Sequence, residues 1–426
     1  MNGLIIAIFI IGYLAIALEH KIKVDKAASA LVTGVLCWLF YFLSGQPIPE
    51  IEKELFTHFS EIASILFFLL GAMTIVEVID SHQGFNLIIN TITTKSKPKL
   101  LLIVTLITFL LSSVLNNLTT AIVVISLCSK LLNEKNDRLW FASMVIIAAN
   151  AGGAWSPLGD VTTSMLWIGG QVTPFNIIAK TILPSIVVVL VPLAIMIQKF
   201  KNQKIEAISN DPDRHPIESN IILFTGIGLL LLVPVLNSLT QLPPYMGMLL
   251  ALGIIWFVSS IIHLNKHPDE RFEYSVANAL RKVDTSSILF FLGILLAVYA
   301  LQSAGFLTQL AEFTAKHIHN PYYTGTILGL FSSLIDNVPL VAAAQGMFSL
   351  NMYPTDHVFW EFLALSAGTG GSAIIIGSAA GVAVMGIEKV NFFWYLKNIS
   401  WLALVGFFAG LAAFVFQQWI IGQFNG

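Results

Sequence analysis

Four short segments place polar residues inside long apolar runs. The first is Asn116-Asn117-Leu118-Thr119-Thr120. The second leads from Asn150 through Gly152, Gly153, Ser156 and Pro157 to Gly159-Asp160 and Thr162-Thr163. The third is Asp336-Asn337-Val338-Pro339, and the fourth runs from Thr369-Gly370-Gly371-Ser372 to Gly377-Ser378. Gly and Pro interrupt helices and release backbone carbonyls. Carboxylate, amide and hydroxyl oxygens stand beside them, without His or Cys. Such a set suits a hard cation, with water completing its shell. An ionisable residue inside an apolar run is costly and functional by default, which singles out Asp160 and Asp336. Asn116, Asn117, Asn150, Asn337, Thr162 and Thr163 would add neutral oxygens. Thr119, Thr120, Ser332, Thr369, Ser372 and Ser378 are weaker candidates, because hydroxyls in membrane helices often only hold helices together.

Composition decides which solvent surrounds these segments. Of 426 residues, 56% are hydrophobic and 11% charged, and the mean hydropathy is +0.81. A soluble domain carries about 25% charged residues. So few charges cannot cover a water-facing surface, so lipid is the main solvent. A soluble enzyme, a nucleic-acid binder and a disulfide-rich secreted domain are excluded together. Cys37 and Cys128 both sit in apolar runs, which supports neither a disulfide framework nor a thiolate metal site. The formal net charge of −2 says nothing about partners.

A backbone in lipid must satisfy its own hydrogen bonds, so the apolar runs predict an all-α integral membrane protein. Ten crossings are expected near 3–19, 27–44, 61–80, 138–169, 175–198, 219–239, 244–264, 286–303, 357–386 and 391–420. Pro98–Leu132 and Pro321–Leu350 are apolar but broken midway, and each reads as a re-entrant hairpin or two short crossings. Basic residues follow the first run instead of preceding it, so that run reads as a span, not a cleavable signal. With these spans, eighteen Lys and Arg fall in loops on one face and two, Lys53 and Lys316, on the other. The lysine-rich face is therefore expected to be cytoplasmic, with both termini outside. The nine histidines fall in loops or at span ends, where solvated side chains are expected.

The chain also repeats itself. Ile65-Leu66-Phe67-Phe68-Leu69 returns as Ile288-Leu289-Phe290-Phe291-Leu292. Ser112-Ser113 before Asn116-Asn117 returns as Ser332-Ser333 before Asp336-Asn337, and Gly152-Gly153 returns as Gly370-Gly371. Order and spacing are kept, so a duplication is expected. Five crossings separate matching elements, and an odd number inverts the second copy. The expected fold is two inverted-topology repeats, about ten transmembrane helices with broken helices, plus two re-entrant hairpins. The first repeat would cover 1–199 (1–80 scaffold, 98–199 hairpin and transport unit). A cytoplasmic loop, 200–218, would lead to the second repeat, 219–426 (219–303 scaffold, 320–422 hairpin and transport unit). Inverted repeats with broken helices at the midplane mark secondary transporters.

At these breaks the sequence resembles the NhaD-type sodium/proton antiporters, within the ion transporter superfamily. The matching motifs are Ser113-Val114-Leu115-Asn116-Asn117-Leu118-Thr119-Thr120, Trp155-Ser156-Pro157-Leu158-Gly159-Asp160-Val161-Thr162-Thr163 and Ser333-Leu334-Ile335-Asp336-Asn337-Val338-Pro339. The resemblance implies a homodimer in a bacterial cytoplasmic membrane, a scaffold and a moving transport unit, with Na⁺ and H⁺ as substrates and no cofactor. It also implies that sodium and proton residues carry over to Asn117, Asn150, Asp160, Thr162, Thr163, Asp336 and Asn337. Many relatives have Asp-Asn in the first hairpin, whereas this chain has Asn116-Asn117.

The expected mechanism is exchange on one shared carboxylate, Asp160, with Asp336 as second carboxylate. Protonated or sodium-bound, the group is nearly neutral and can cross between faces, while the bare anion is the costly state to move. No reactive cluster for an enzyme lies mid-span. A sodium-coupled anion (dicarboxylate-type) symporter is the runner-up. It needs cationic donors for its substrate, and no Arg or Lys lies within the breaks.

Overall fold

The computed structural model describes residues 2–17, 19–85, 94–204, 216–264, 266–318, 320–334 and 336–424. The principal helices are α1 (Asn2–Ala17), α2 (Lys26–Phe42), α3 (Ile48–Ser81), α4 (Lys97–Ser112), α5 (Asn117–Leu131), α6 (Lys135–Ala154), α7 (Val161–Ile168), α8 (Pro174–Lys199) and α9 (Pro216–Thr240). They continue as α10 (Pro244–Ile262), α11 (Thr285–Ser303), α12 (Phe306–His317), α13 (Pro321–Phe331), α14 (Asn337–Met347), α15 (Val358–Gly370), α16 (Ala379–Glu388), α17 (Phe392–Asn398) and α18 (Ser400–Phe424). Short helical turns at Glu19–Ile22, Pro268–Glu273 and Val276–Lys282 complete the connections. Of the expected loop 200–218, residues 205–215 lie outside the described residues.

Six of these helices are long and apolar enough to cross a membrane by themselves: α3, α8, α9, α10, α11 and α18. The rest of the apolar sequence is divided into shorter pieces. The expected crossing 138–169 is the pair α6 and α7, and 357–386 is α15, a 3₁₀ turn at Ile375–Gly377 and α16. The third helix starts at Ile48, well before the expected 61. Its extra turns carry Glu50, Glu52, Lys53 and Glu54, good helix formers with no breaker among them. The expected last crossing, 391–420, is interrupted at Ile399. There the Asn398 side chain bonds the Trp394 carbonyl at 2.8 Å and competes with the backbone ladder. Residues 306–317, expected as loop, form α12 after Gly305, which turns the chain at a φ of 79°.

Packing sorts the helices into two groups. In the first, α2 lies along α11, and both pack with α1 and α3, which in turn meets α9 and α10. Gly34 and Gly293 bring α2 and α11 into backbone contact, since a Cβ on Gly34 would stand 2.4 Å from the Gly293 carbonyl oxygen. Small residues permit such crossings where lipid offers no hydrophobic drive. The Trp38 indole N–H, which lipid could not satisfy, donates to the Leu296 carbonyl at 2.9 Å. In the second group, α4 packs on α6, α13 on α15, and α8 on α18. The lysine-rich end of this group is pinned by Lys97 Nζ on Asp137 at 2.5 Å and Arg138 Nε on Glu388 at 3.1 Å. Helices α7 and α14 lie between the groups, touching each other and members of both.

Two histidines expected to be solvated are buried. His82 and His263 cap the ends of α3 and α10 and pack around Tyr274, at ring distances of 5.0 and 5.4 Å. Burial pushes the His82 imidazole down to about 4, so it is neutral at physiological pH.

Candidate functional site

The four polar breaks all end in the same way, as the start of a helix. Asn116 caps α5, accepting from the Thr119 N–H at 2.8 Å, and Asp336 caps α14, accepting from the Val338 N–H at 3.2 Å. Ser378 caps α16, with its Oγ accepting from the Gly381 N–H at 3.2 Å. Asp160 occupies the cap position of α7 in the same extended conformation as Ser378. Each helix start carries roughly half a positive charge, which favours an anion beside it.

Asp160 turns its carboxylate to side chains. It is 2% exposed. Oδ1 accepts from Asn117 Nδ2 at 3.3 Å, and Oδ2 accepts from Thr162 Oγ1 at 2.5 Å and Asn337 Nδ2 at 3.1 Å. Three chain-distant segments therefore meet on one carboxylate. All three donors are neutral, so no fixed cation consumes its charge. Asn117 Nδ2 also donates to Asn150 Oδ1 at 3.1 Å. Asn150 in turn donates to Ser372 Oγ and Ser378 Oγ, both at 2.9 Å. Through these bonds α6 reaches into the break between α15 and α16.

Asp160, Asn116, Asn117, Asp336 and Asn337 line a chamber of about 30 Å³, closed by Lys26, Leu69, Met73, Leu118, Val161, Ser287, Phe291, Val338 and Ala379. That volume is about one water's share of the liquid. On the lysine-rich side the chamber meets a vestibule of about 480 Å³, whose walls include Glu19, Asp25, Glu77, Asp80 and Asp284. A separate pocket of about 350 Å³, bordered by Glu61, Ser64, Gln171, Tyr299, Gln302 and Gln345, shares no lining residue with the chamber. Helix α3 runs past all three: Glu61 to Ile65 at the separate pocket, Leu69 and Met73 at the chamber, Glu77 and Asp80 at the vestibule.

Several expected candidates lie off the carboxylate. Asn150 is buried, but both ends of its amide are engaged by other side chains. Thr163 and Thr120 are buried with hydroxyls unpartnered among the described residues, and neither borders the chamber. Thr119 faces the vestibule. The Thr369 hydroxyl donates to the Leu365 carbonyl of its own helix at 2.6 Å, and Ser332 donates to the Ala367 carbonyl at 2.7 Å. The first bond stays within α15, and the second ties the end of α13 to α15.

Other residues join the site unannounced. Tyr13 of α1 stands against Asp336. Lys26, read only as one more loop lysine, borders the chamber beside both carboxylates. Nothing in spacing or periodicity distinguishes these positions, because each gains its role from a helix far away in the chain.

The two halves of the site share backbone architecture. Ser112 Oγ donates to the Ala149 carbonyl at 2.6 Å, as Ser332 does to Ala367. Ser113 and Ser333 each donate to the carbonyl three residues back at 2.7 Å. A Cβ on Gly153 would meet the Gly159 carbonyl oxygen at 2.6 Å, and one on Gly371 the Gly377 oxygen at the same distance.

Comparison with known proteins places the chain among transporters. The model of a family described as "Citrate transporter" matches residues 6–368. Two curated proteins of Arabidopsis thaliana are similar over 96% of the chain: "Sodium/proton antiporter 1", 44% identical over 71% of its own length, and "Sodium/proton antiporter 2", 43% identical over 98%. A bacterial protein named "Na(+)/H(+) antiporter NhaD", from Alkalimonas amylolytica, is 28% identical over 96% of this chain and 89% of its own.

Proposed function

The chain belongs to the citrate transporter family, among relatives that are transporters and not enzymes, and we propose that it exchanges Na⁺ for H⁺ on the Asp160 carboxylate. The observation that carries this reading is the chamber: a buried carboxylate with neutral donors, in a space the size of one water. Sodium fits such a space. A di- or tricarboxylate does not, and Asp160 and Asp336 would repel it.

The proposed cycle uses the groups in place. Deprotonated Asp160 takes Na⁺ from the vestibule. Half-turns of the Asn117 and Asn337 amides then present Oδ1 where Nδ2 now stands, adding neutral oxygens to the ion's shell. Asp336 is the second carboxylate, and its charge offsets the four converging helix starts. A proton on Asp160 releases the ion, and the Thr162 hydroxyl and the amides then hold the neutral acid. Either ion leaves the group nearly uncharged, so the loaded carrier reorients at lower cost than the empty one. Burial of the bare anion is the state the cycle avoids.

We read the recurring serine bonds and glycine contacts as support for two inverted repeats with the limits given above, and the lysine excess as support for a cytoplasmic vestibule with both termini outside. In a bacterial cytoplasmic membrane, inward protons would then drive sodium outward, from a protein working as a homodimer. Inside-out vesicles with a trapped pH dye test the exchange. Added Na⁺ should move protons in the direction opposite to its own flux, and Li⁺ and K⁺ added in turn rank selectivity. Uptake of labelled citrate with no proton movement on adding Na⁺ would replace exchange with anion symport.

A further inference from the structure

Lys26 stands where the vestibule narrows into the chamber. Five residues belong to both walls, namely Lys26, Met73, Leu118, Ser287 and Ala379, and Lys26 is the one charge among them. Carboxylates lie on either side of this neck: Glu19, Asp25, Glu77, Asp80 and Asp284 around the vestibule, Asp160 and Asp336 around the chamber. The other lysine of the vestibule, Lys282, is committed to Glu77 at 3.6 Å. Lys26 makes no ion pair among the described residues. Its ammonium rests 4.7 Å from the centroid of the Phe290 ring, and Phe290 is itself buried. A half-buried cation that declines so many carboxylates is held by a weak and reversible contact. Its four-carbon stem gives it more than one station.

We propose that Lys26 is a tethered cation that gates the neck and sets sodium affinity from the vestibule side. This rests on the exchange reading above. While the chamber carboxylates are bare, the ammonium leaves the Phe290 ring and turns toward them, partly neutralising the chamber. An arriving Na⁺ must displace it, and the lysine returns to the ring. Sodium therefore binds against an internal competitor, and its apparent affinity is weaker than the carboxylates alone would give. Lys26 touches neither proton nor sodium in this scheme, so it is a gating residue and not a ligand.

The test is a sodium titration of proton movement in inside-out vesicles. Wild-type protein must first show sodium-driven exchange; its failure would sink the exchange reading. Given exchange, Lys26→Met should lower the apparent KM for Na⁺ about fivefold, with the maximal rate changed less than about twofold. Lys26→Arg keeps the charge and should hold KM within about twofold of wild type. Phe290→Leu removes the resting place and should raise KM, the opposite direction. A KM for Lys26→Met equal to or above that of wild type overturns the gate, as does a lowered KM for Phe290→Leu. If Lys26→Met does not insert, the direction of change in Phe290→Leu decides alone.

Discussion

The break between α6 and α7 and the break between α15 and α16 are built on one backbone plan and carry different chemistry. Both pass through a glycine pair, both press a glycine against a neighbouring carbonyl, and both end at an extended cap residue. At that cap the first has Asp160 and the second Ser378. The hairpins differ the other way, with Asn116 capping α5 and Asp336 capping α14. One carboxylate thus sits at the start of α7 and the other at the start of α14. The backbone plan is duplicated and the charge is not. A carboxylate at Asn116 as well as at Asp160 and Asp336 would crowd three like charges into a chamber the size of one water, at a high desolvation and repulsion cost.

The largest expected effect separates the two caps directly. Asp160→Asn should abolish sodium-driven proton movement while the protein still inserts, because the shared charge is gone. In wild type, apparent sodium affinity should weaken about tenfold per pH unit below the carboxyl's pKa, as a single displaced proton requires. Full exchange in Asp160→Asn, or an affinity flat with pH, would move the shared site to Asp336.

The shared backbone plan is tested next, and there the halves should behave alike. A Cβ at Gly370 would stand 1.9 Å from the Gly329 carbonyl oxygen, and one at Gly152 would stand 2.3 Å from that of Phe109. Gly370→Ala and Gly152→Ala should each destabilise the protein by about 1–3 kcal/mol, seen as lower melting in detergent. A neutral result at one position alone would break the equivalence.

Ser378→Ala comes third. It removes a helix cap and one of the two acceptors of Asn150, at a cost of about 0.5–2 kcal/mol. Exchange should fall several-fold without being lost, since the carboxylate is untouched. A loss as complete as that in Asp160→Asn would mean that Ser378 is itself a ligand. The smallest effect is expected from Asn116→Asp, which places a carboxylate at the cap of α5, on the chamber wall it shares with Asp336. Its oxygen can still cap Thr119, so folding should be unchanged and the pH profile of exchange displaced. An unaltered profile would leave the first hairpin an amide contributor only.

Much of this was legible in the residues themselves. Glycine and proline beside polar side chains in apolar runs pointed to the breaks, and Asp160 stood out because an ionisable group there needs a reason. The motif pairs Ser112/Ser332 and Gly153/Gly371 recur in three dimensions as they do along the chain. Legibility ended where a role depends on a distant partner. Asn150 read as an ion ligand, but its amide is spent between Asn117 and two serines more than two hundred residues away. Lys26 read only as a loop cation and Tyr13 was not singled out, yet Lys26 borders the chamber and Tyr13 stands against Asp336. The early start of α3 escaped notice because hydropathy reports lipid contact and not helix length.

That same helix has a further consequence. Along α3 the far pocket ends at Ile65 and the chamber begins at Leu69, about 6 Å further along the helix axis. This unbroken rod borders the far pocket from Glu61 to Ile65 and the chamber at Leu69 and Met73, and the two cavities share no lining residue. Under the proposed exchange, delivery of an ion to the far side would take a displacement of about one turn of α3, with the unit carrying Asp160 sliding along it as along a graduated rail. Met73 and Leu118 mark one stop on that rail. A cysteine pair at those two positions would hold the carrier there, and the residues newly crosslinkable to position 118 after sodium is exchanged for protons would read off the length of the stroke.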